Sequence, residues 1–242
     1  MTEALLEATN LDLQYGKVRV LFDVSITINR GEFVALLGTN GAGKSTFLKA
    51  VSNLSGLTGG RVVFDGVDIT GWSPDKIAAV GLAHVPGGRG SLPDLTVDEN
   101  LRLGGHLLRG RGKKAEFEAG LEYAYSLFEW MGNRRKQLAG TLSGGEQQML
   151  AIARALVLRP KMLMVDELSL GLAPVIVAQL MDVLKQLHAS GLTILVVEQH
   201  ATLAMETAER VLFMEKGQVR FEGRGKELAG RRDLLRSVFL GS

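Results

Sequence analysis

Residues 38–45 read Gly38-Thr39-Asn40-Gly41-Ala42-Gly43-Lys44-Ser45, a full match to the phosphate-loop pattern G-x-x-x-x-G-K-[ST]. No other stretch so narrows what the chain can become, because such a loop works only between a buried strand and a helix. Both flanks fit. The run Phe33-Val34-Ala35-Leu36-Leu37 is continuously apolar, as for a strand covered on both faces, and Thr46-Phe47-Leu48-Lys49-Ala50-Val51 continues as a helix. Glycines let the backbone curl so that successive N–H groups meet the oxygens of a di- or triphosphate at the positive end of that helix. Lys44 then reaches the β/γ-phosphates as a point charge, and Ser45 offers its hydroxyl to Mg²⁺. The expected contacts run from Gly38 through Thr39, Asn40, Gly41, Ala42 and Gly43 to Lys44, Ser45 and Thr46.

With 242 residues, 46% of them hydrophobic and 22% charged, the chain suits one large domain or a domain carrying an inserted lobe. A formal net charge of +2 is too small to point to a nucleic-acid partner. No run approaches the roughly 18 apolar residues a spanning helix needs, and the start Met1-Thr2-Glu3-Ala4-Leu5-Leu6-Glu7 lacks a basic segment followed by a long apolar core. The expectation is a chain neither secreted nor membrane-spanning by itself. The absence of cysteine excludes disulfides and thiolate metal sites and fits the cytosol.

Residues 5–14 and 18–28 alternate with period two around Tyr15-Gly16-Lys17, which predicts an antiparallel edge sheet. Residues 61–66, after a turn at 57–60, and 80–85 read as further strands. Thr96-Val97-Asp98-Glu99 is a capping box and 114–131 has helical spacing, so about 96–158 is expected to form a helical lobe inserted in an α/β core made of 1–95 and 159–242. Pro160 ends that lobe. Residues 162–165 and 193–197 are apolar enough for buried strands, and 174–189 should be a helix with Ile176, Leu180, Val183, Leu184 and Leu187 on one stripe. The expected fold is α/β, with a parallel sheet at its centre and an N-terminal antiparallel β subdomain.

Two further constellations carry chemistry. Met162-Leu163-Met164-Val165 delivers Asp166 and Glu167 at a strand's C-terminal end, where ligands of parallel sheets gather. Asp166 is suited to hold Mg²⁺ and Glu167 to polarise an attacking water. Taken alone, that pair is equally an ordinary strand end; beside an intact phosphate loop the functional reading prevails. Leu142-Ser143-Gly144-Gly145-Glu146-Gln147 opens a helix with Ser143 at its N-cap, and the two glycines leave backbone N–H groups bare, a second anion-binding geometry. By itself this is equally a well-capped helix.

That segment, 23 positions before Asp166, resembles the signature of the ATP-binding cassette family. The resemblance covers essentially the whole chain and implies a phosphate-loop NTPase core of the RecA-like kind. It also implies that Tyr15 stacks on adenine and that His200, after Val197-Glu198-Gln199, contacts the γ-phosphate. Without it, Tyr15 reads as a turn aromatic and His200 as a polar residue at a strand end. His84, His106 and His188 match no motif and are expected to be structural. The basic cluster Arg109, Arg111, Lys113 and Lys114 reads as a solvated loop.

The family implies more. Two similar cassettes face head to tail, so each ATP lies between one chain's phosphate loop and the other's Ser143, Gly144, Gly145 and Glu146. Integral membrane permease subunits would dock on the helical lobe, at the cytoplasmic face of the membrane, with an extracytoplasmic binding protein acting indirectly. Ser169-Leu170-Gly171-Leu172-Ala173-Pro174, the Val85-Pro86-x-Gly88-Arg89 segment and 237–241 are most similar to the shorter cassette of branched-chain amino acid importers. Lipid and lipopolysaccharide systems share some of these features. Three positions depart from the family: Gly87 where Gln or Glu is usual, Leu168 where Pro usually follows the carboxylates, and Ala173 for Asp. Hydrolysis is nevertheless expected, since Lys44, Ser45, Asp166, Glu167 and His200 are present. The alternative is a cassette that closes on ATP but hydrolyses poorly, as regulator or weak half of a heterodimer.

Overall fold

Alternating and continuous apolar runs separate into two sheets in the computed structural model, which describes residues 3–88, 90–108, 112–198 and 201–229. The alternating runs give β1 (Ala4–Tyr15) and β2 (Val18–Asn29), an antiparallel hairpin. Then come β3 (Phe33–Leu37), α1 (Lys44–Val51), β4 (Gly59–Phe64), β5 (Val67–Asp68), α2 (Pro74–Ala79) and β6 (Leu82–Val85). The helical stretch contains α3 (Val97–Gly104), α4 (Lys114–Leu127), α5 (Glu129–Asn133) and α6 (Gly144–Leu156). After it follow β7 (Met162–Asp166), α7 (Pro174–Ala189), β8 (Thr193–Glu198), α8 (Ala201–Thr207), β9 (Arg210–Glu215), β10 (Gln218–Arg224) and α9 (Gly225–Ala229).

The first sheet has the order β2-β1-β4-β5 and the second β10-β9-β3-β8-β7-β6. In the second, β9, β3, β8, β7 and β6 run parallel and only β10 is antiparallel. Every residue of β3, β7 and β8 is buried, because helices and the other sheet cover both faces. The register sets Leu37 opposite Glu198 and Asp166 opposite Val197. The C-terminal ends of β3, β8 and β7 therefore share one edge, with β8 between the strand that feeds the phosphate loop and the one that ends in carboxylates.

One apolar core lies between the sheets around α1 and includes Leu6, Leu11, Phe47, Phe64 and Val197. A second packs α6, α7 and α8 on the parallel sheet's other face, through Ile152, Leu156, Leu180, Leu184 and Met205. A third joins α3, α4 and α6 through Val97, Leu101, Leu121, Leu150 and Val157. Helix α6 thus belongs to two cores. The capping box at α3 forms: Glu99 N–H donates to Thr96 Oγ1 at 3.2 Å and Thr96 N–H to Glu99 Oε2 at 2.8 Å.

The structure shifts some boundaries. Residues 80–81 close α2 instead of starting a strand: Gly81 N–H bonds the Ala78 carbonyl at 3.0 Å. The helical run 114–131 breaks at Phe128, whose φ of −136° and ψ of 77° end α4. Gly59 and Gly60 belong to β4 rather than to a turn; Gly60 is needed there because a Cβ would come 2.4 Å from the Asn10 carbonyl oxygen. On α7 the expected Leu180, Leu184 and Leu187 are buried with Val177 and Met181, whereas Ile176 and Val183 are only partly covered. His200, Arg89, Arg109, Arg111 and the C-terminal residues 230–242 lie outside the described residues.

Candidate nucleotide site

The phosphate loop leaves β3 through Gly38, where a Cβ would collide with the Met214 carbonyl oxygen at 2.1 Å. At its end Gly43 caps α1 with φ +100°, and no side chain bonds the helix's first N–H groups. Behind the loop stands the β9–β10 turn: Gly217 N–H donates to the Ala42 carbonyl at 2.9 Å, and Phe22 N–H to the Gly217 carbonyl at 3.0 Å. Lys44 is 4% exposed, and its ammonium donates to the carbonyls of Gly38 at 2.8 Å and Thr39 at 2.9 Å. Burial pushes its pKa down, opposed by the charges of Glu167, Asp166 and Glu198.

Across the sheet edge, Asp166 ends β7 with its carboxylate 3.0 Å from Ser45 Oγ, which donates to Oδ1. Burial raises the Asp166 pKa, the Ser45 hydrogen bond works against that, and the neighbouring Glu167 charge adds to the rise. Ser45 and Asp166, 121 residues apart in sequence, thus meet as an oxygen pair. Glu167 follows with φ +42°, a left-handed conformation that strains a residue bearing a Cβ by about 1–2 kcal/mol. Its N–H donates to the Val197 carbonyl of β8 at 3.0 Å. Leu168 is a core residue at 1% exposure. Gly87 lies against this pair, since a Cβ on it would sit 3.2 Å from Glu167 Cβ and 3.3 Å from the Asp166 carbonyl oxygen. Its bare backbone leaves Glu167 the space it occupies.

Ser143 caps α6. Glu146 N–H donates to Ser143 Oγ at 3.3 Å, Ser143 N–H donates to Glu146 Oε2 at 2.8 Å, and Arg134 pairs with Glu146 at 2.7 Å. Gly144 and Gly145 allow α7 close approach: Cβ atoms there would lie 3.0 Å from Leu172 Cδ2 and 2.3 Å from Ile176 Cγ2. Ser143 and Gly144 are exposed. Tyr15, at the end of β1, is 47% exposed and its hydroxyl shares a hydrogen bond with Ser55 Oγ at 2.9 Å. His84 Nδ1 meets Ser52 Oγ at 2.9 Å, His106 Nδ1 the Leu103 carbonyl at 3.1 Å, and His188 Nε2 the Gly31 carbonyl at 2.9 Å.

The sequence reading overlooked two residues at this edge. Gly217 supports the loop from a hairpin 175 residues away from Ala42, and no motif announces it. Glu198 was visible only as a flank of His200, yet a carboxylate ending a wholly apolar strand is the same signal that marked Asp166. Among the described residues no helix is long and apolar enough to cross a membrane.

Comparison with known proteins agrees with this geometry. A family model described as ABC transporter matches residues 21–169. The chain is 38% identical over 237 residues to BraG of Pseudomonas aeruginosa, named as a high-affinity branched-chain amino acid transport ATP-binding protein, covering 98% of this chain and 100% of that one. It is 36% identical to LivF of Archaeoglobus fulgidus, named as a probable branched-chain amino acid transport ATP-binding protein, covering 93% and 94%. A nucleotide-free ATP-binding cassette of an ABC transporter superposes with a TM-score of 0.86 at 26% identity, covering 99% of this chain and all of that one. A bacterial cassette solved as a dimer gives 0.79 at 28%, covering 91% and 98%. With the model matching more than half of its length, the chain belongs to the ABC transporter family of ATP-binding cassettes.

Proposed function

We propose that this chain is the ATP-binding and ATP-hydrolysing subunit that energises a membrane importer of branched-chain amino acids. The observation that carries this reading is the meeting of Lys44, Ser45 and Asp166 at one sheet edge, a buried cation beside a hydroxyl–carboxylate pair. The loop N–H groups bind the phosphates of ATP, with Lys44 turning from its carbonyl partners to the β/γ-oxygens. Tyr15 stacks on the adenine from its exposed strand end. Glu167 orients the attacking water, and His200 contacts the γ-phosphate.

Ser45 and Asp166 suit Mg²⁺, a hard cation that takes oxygen ligands and keeps several waters. When bound, Mg²⁺ supplies positive charge to the phosphate oxygens. Ser143, Gly144, Gly145 and Glu146 serve the site of a second cassette, a reading supported by the exposure of Ser143 and Gly144 at the α6 N-terminus. Permease subunits receive the motion at the cytoplasmic face through the helical lobe of residues 96–158, and a binding protein selects the solute outside.

Reconstitution with the permease and binding protein in liposomes tests the substrate class. Leucine, isoleucine and valine should each stimulate MgATP turnover and be taken up, whereas glutamine and arginine should not. Stimulation by a polar amino acid or a lipid alone would assign the chain to another system. A weakly hydrolysing regulator is the second reading, motivated by Gly87, which brings no side chain to Glu167. The room that Gly87 leaves for Glu167 favours the hydrolytic one.

A further inference from the structure

The segment after the proposed catalytic carboxylate is held in an unusual way. Glu167 takes φ +42° and Gly171 φ +72°, so the chain turns back twice before α7 begins. Strain of this kind persists only where the surroundings fix the backbone. Leu168 anchors the segment in the core at 1% exposure, while beyond it Ser169, Leu172 and Pro174 line a cavity of about 280 Å³ together with Glu198. Hydrogen bonds to β8 add to that hold. Glu167 N–H reaches the Val197 carbonyl at 3.0 Å. Two residues on, Ser169 gives both its donors to one carboxylate: its N–H to Glu198 Oε1 at 3.0 Å and its hydroxyl to Oε2 at 2.6 Å. Ser169 is 8% and Glu198 3% exposed, so these charge-assisted bonds are shielded from water.

Glu198 also sits opposite Leu37 in the β3–β8 register, one residue before the phosphate loop starts. The same segment carries Leu172, which packs beneath Gly144 at the head of α6. The Glu198 carboxylate thus holds, through Ser169, the loop that runs from Glu167 to Leu172, at a strand end paired with the one that feeds the phosphate loop.

We infer that Glu198 is a positioning residue, which through Ser169 fixes the Glu167 carboxylate against the phosphate loop. The inference rests on the proposed role of Glu167. It assigns to Glu198 a function beyond its charge near Lys44: the pair sets how well the water is aimed. Misplacing a reacting group by about 1 Å costs on the order of 100-fold in rate.

The test uses the assembled transporter with variants of this chain. Glu198→Ala should lower kcat about 30-fold with KM for ATP within about twofold of wild type. Glu198→Gln, which keeps the shape and can still pair with both Ser169 groups, should recover to within about threefold. Ser169→Ala retains the backbone bond and should lose about fivefold, and the double variant Ser169→Ala, Glu198→Ala should be no worse than Glu198→Ala. Hydrogen exchange on the isolated chain reads the clamp without activity: the Ser169 amide should exchange at least about tenfold faster in Glu198→Ala and at the wild-type rate in Glu167→Gln. The inference is overturned if Glu198→Ala keeps kcat within twofold, if KM rises in step with the loss, if Glu198→Gln is as damaged as Glu198→Ala, or if the Ser169 amide is unaffected. Full turnover by Glu167→Gln would overturn the role of Glu167 itself, and the exchange result would still decide whether the clamp exists.

Discussion

Helices α1 and α6 both have glycine at their starts, Gly43 as the N-cap of one and Gly144 as the first residue of the other, but their N-termini are finished in opposite ways. At α1 the N-cap is Gly43, no side chain bonds the first N–H groups, and the surrounding cation and carboxylates are buried. At α6 a complete capping box from Ser143 and Glu146 already satisfies the end, and Arg134 pairs with the box's carboxylate. An uncapped helix end in a buried pocket leaves its dipole for a ligand. A capped and exposed one is stable alone and has fewer N–H groups to offer. In the proposed function the first holds the phosphates within one chain, and the second contributes only when another chain's nucleotide is brought to it.

Variants at the two ends should therefore separate cleanly. Lys44→Ala removes the buried cation and should weaken ATP binding to the isolated chain at least about 100-fold, near 3 kcal/mol by calorimetry. At the opposite end of α1, Ser52 forms the C-cap and meets His84, whose Nε2 is buried without a hydrogen-bond partner among the described residues. Burial, aided by the Lys49 charge, lowers the His84 pKa from 6.5 to about 4. The unfolded chain then binds more protons between these values, so stability falls as pH drops from 6.5 toward 4, by on the order of 3 kcal/mol, and is unaffected by this group above that window. Denaturant titrations should show the fall, and His84→Gln should flatten it.

Smaller effects sharpen the contrast. Ser143→Ala should cost about 1 kcal/mol of stability by losing the cap, yet leave ATP affinity of the isolated chain unchanged; only assembly of two cassettes on ATP should suffer. Helix α7 is a third case, since its N-cap Ala173 is exposed, has no capping side chain, and is followed by Pro174 at the first turn. Ala173→Asp should raise stability by about 0.5–1 kcal/mol, seen as a melting temperature a few degrees higher, without altering nucleotide affinity.

The phosphate loop was readable because its chemistry forces a local pattern: a buried strand, glycines and a lysine within eight residues. The capping box at Thr96, a three-residue spacing, and the N-cap at Ser143 were readable for the same reason, although the sequence reading did not see that Glu146 closes a second box. What remained hidden is either weakly signalled or non-local. Strands β9 and β10 meet through Lys216 and Gly217, with φ +46° and +74°, a mirror-type hairpin turn whose sequence signal is weaker than Asn-Gly. Helix α2 has Pro74 at its first turn but only six residues, too few to show a period. The Ser169–Glu198 bonds join positions 29 residues apart, and the space Gly87 leaves for Glu167 appears only once β6 and β7 are paired side by side.

The central claim is that two incomplete cassettes make a hydrolytic site together. Its most direct test is MgATP turnover per chain as a function of protein concentration, alone and mixed with its partner cassette, with Glu167→Gln as control. The account predicts that turnover per chain rises with concentration and disappears in the variant. Turnover independent of concentration, or undiminished by Glu167→Gln, would contradict it.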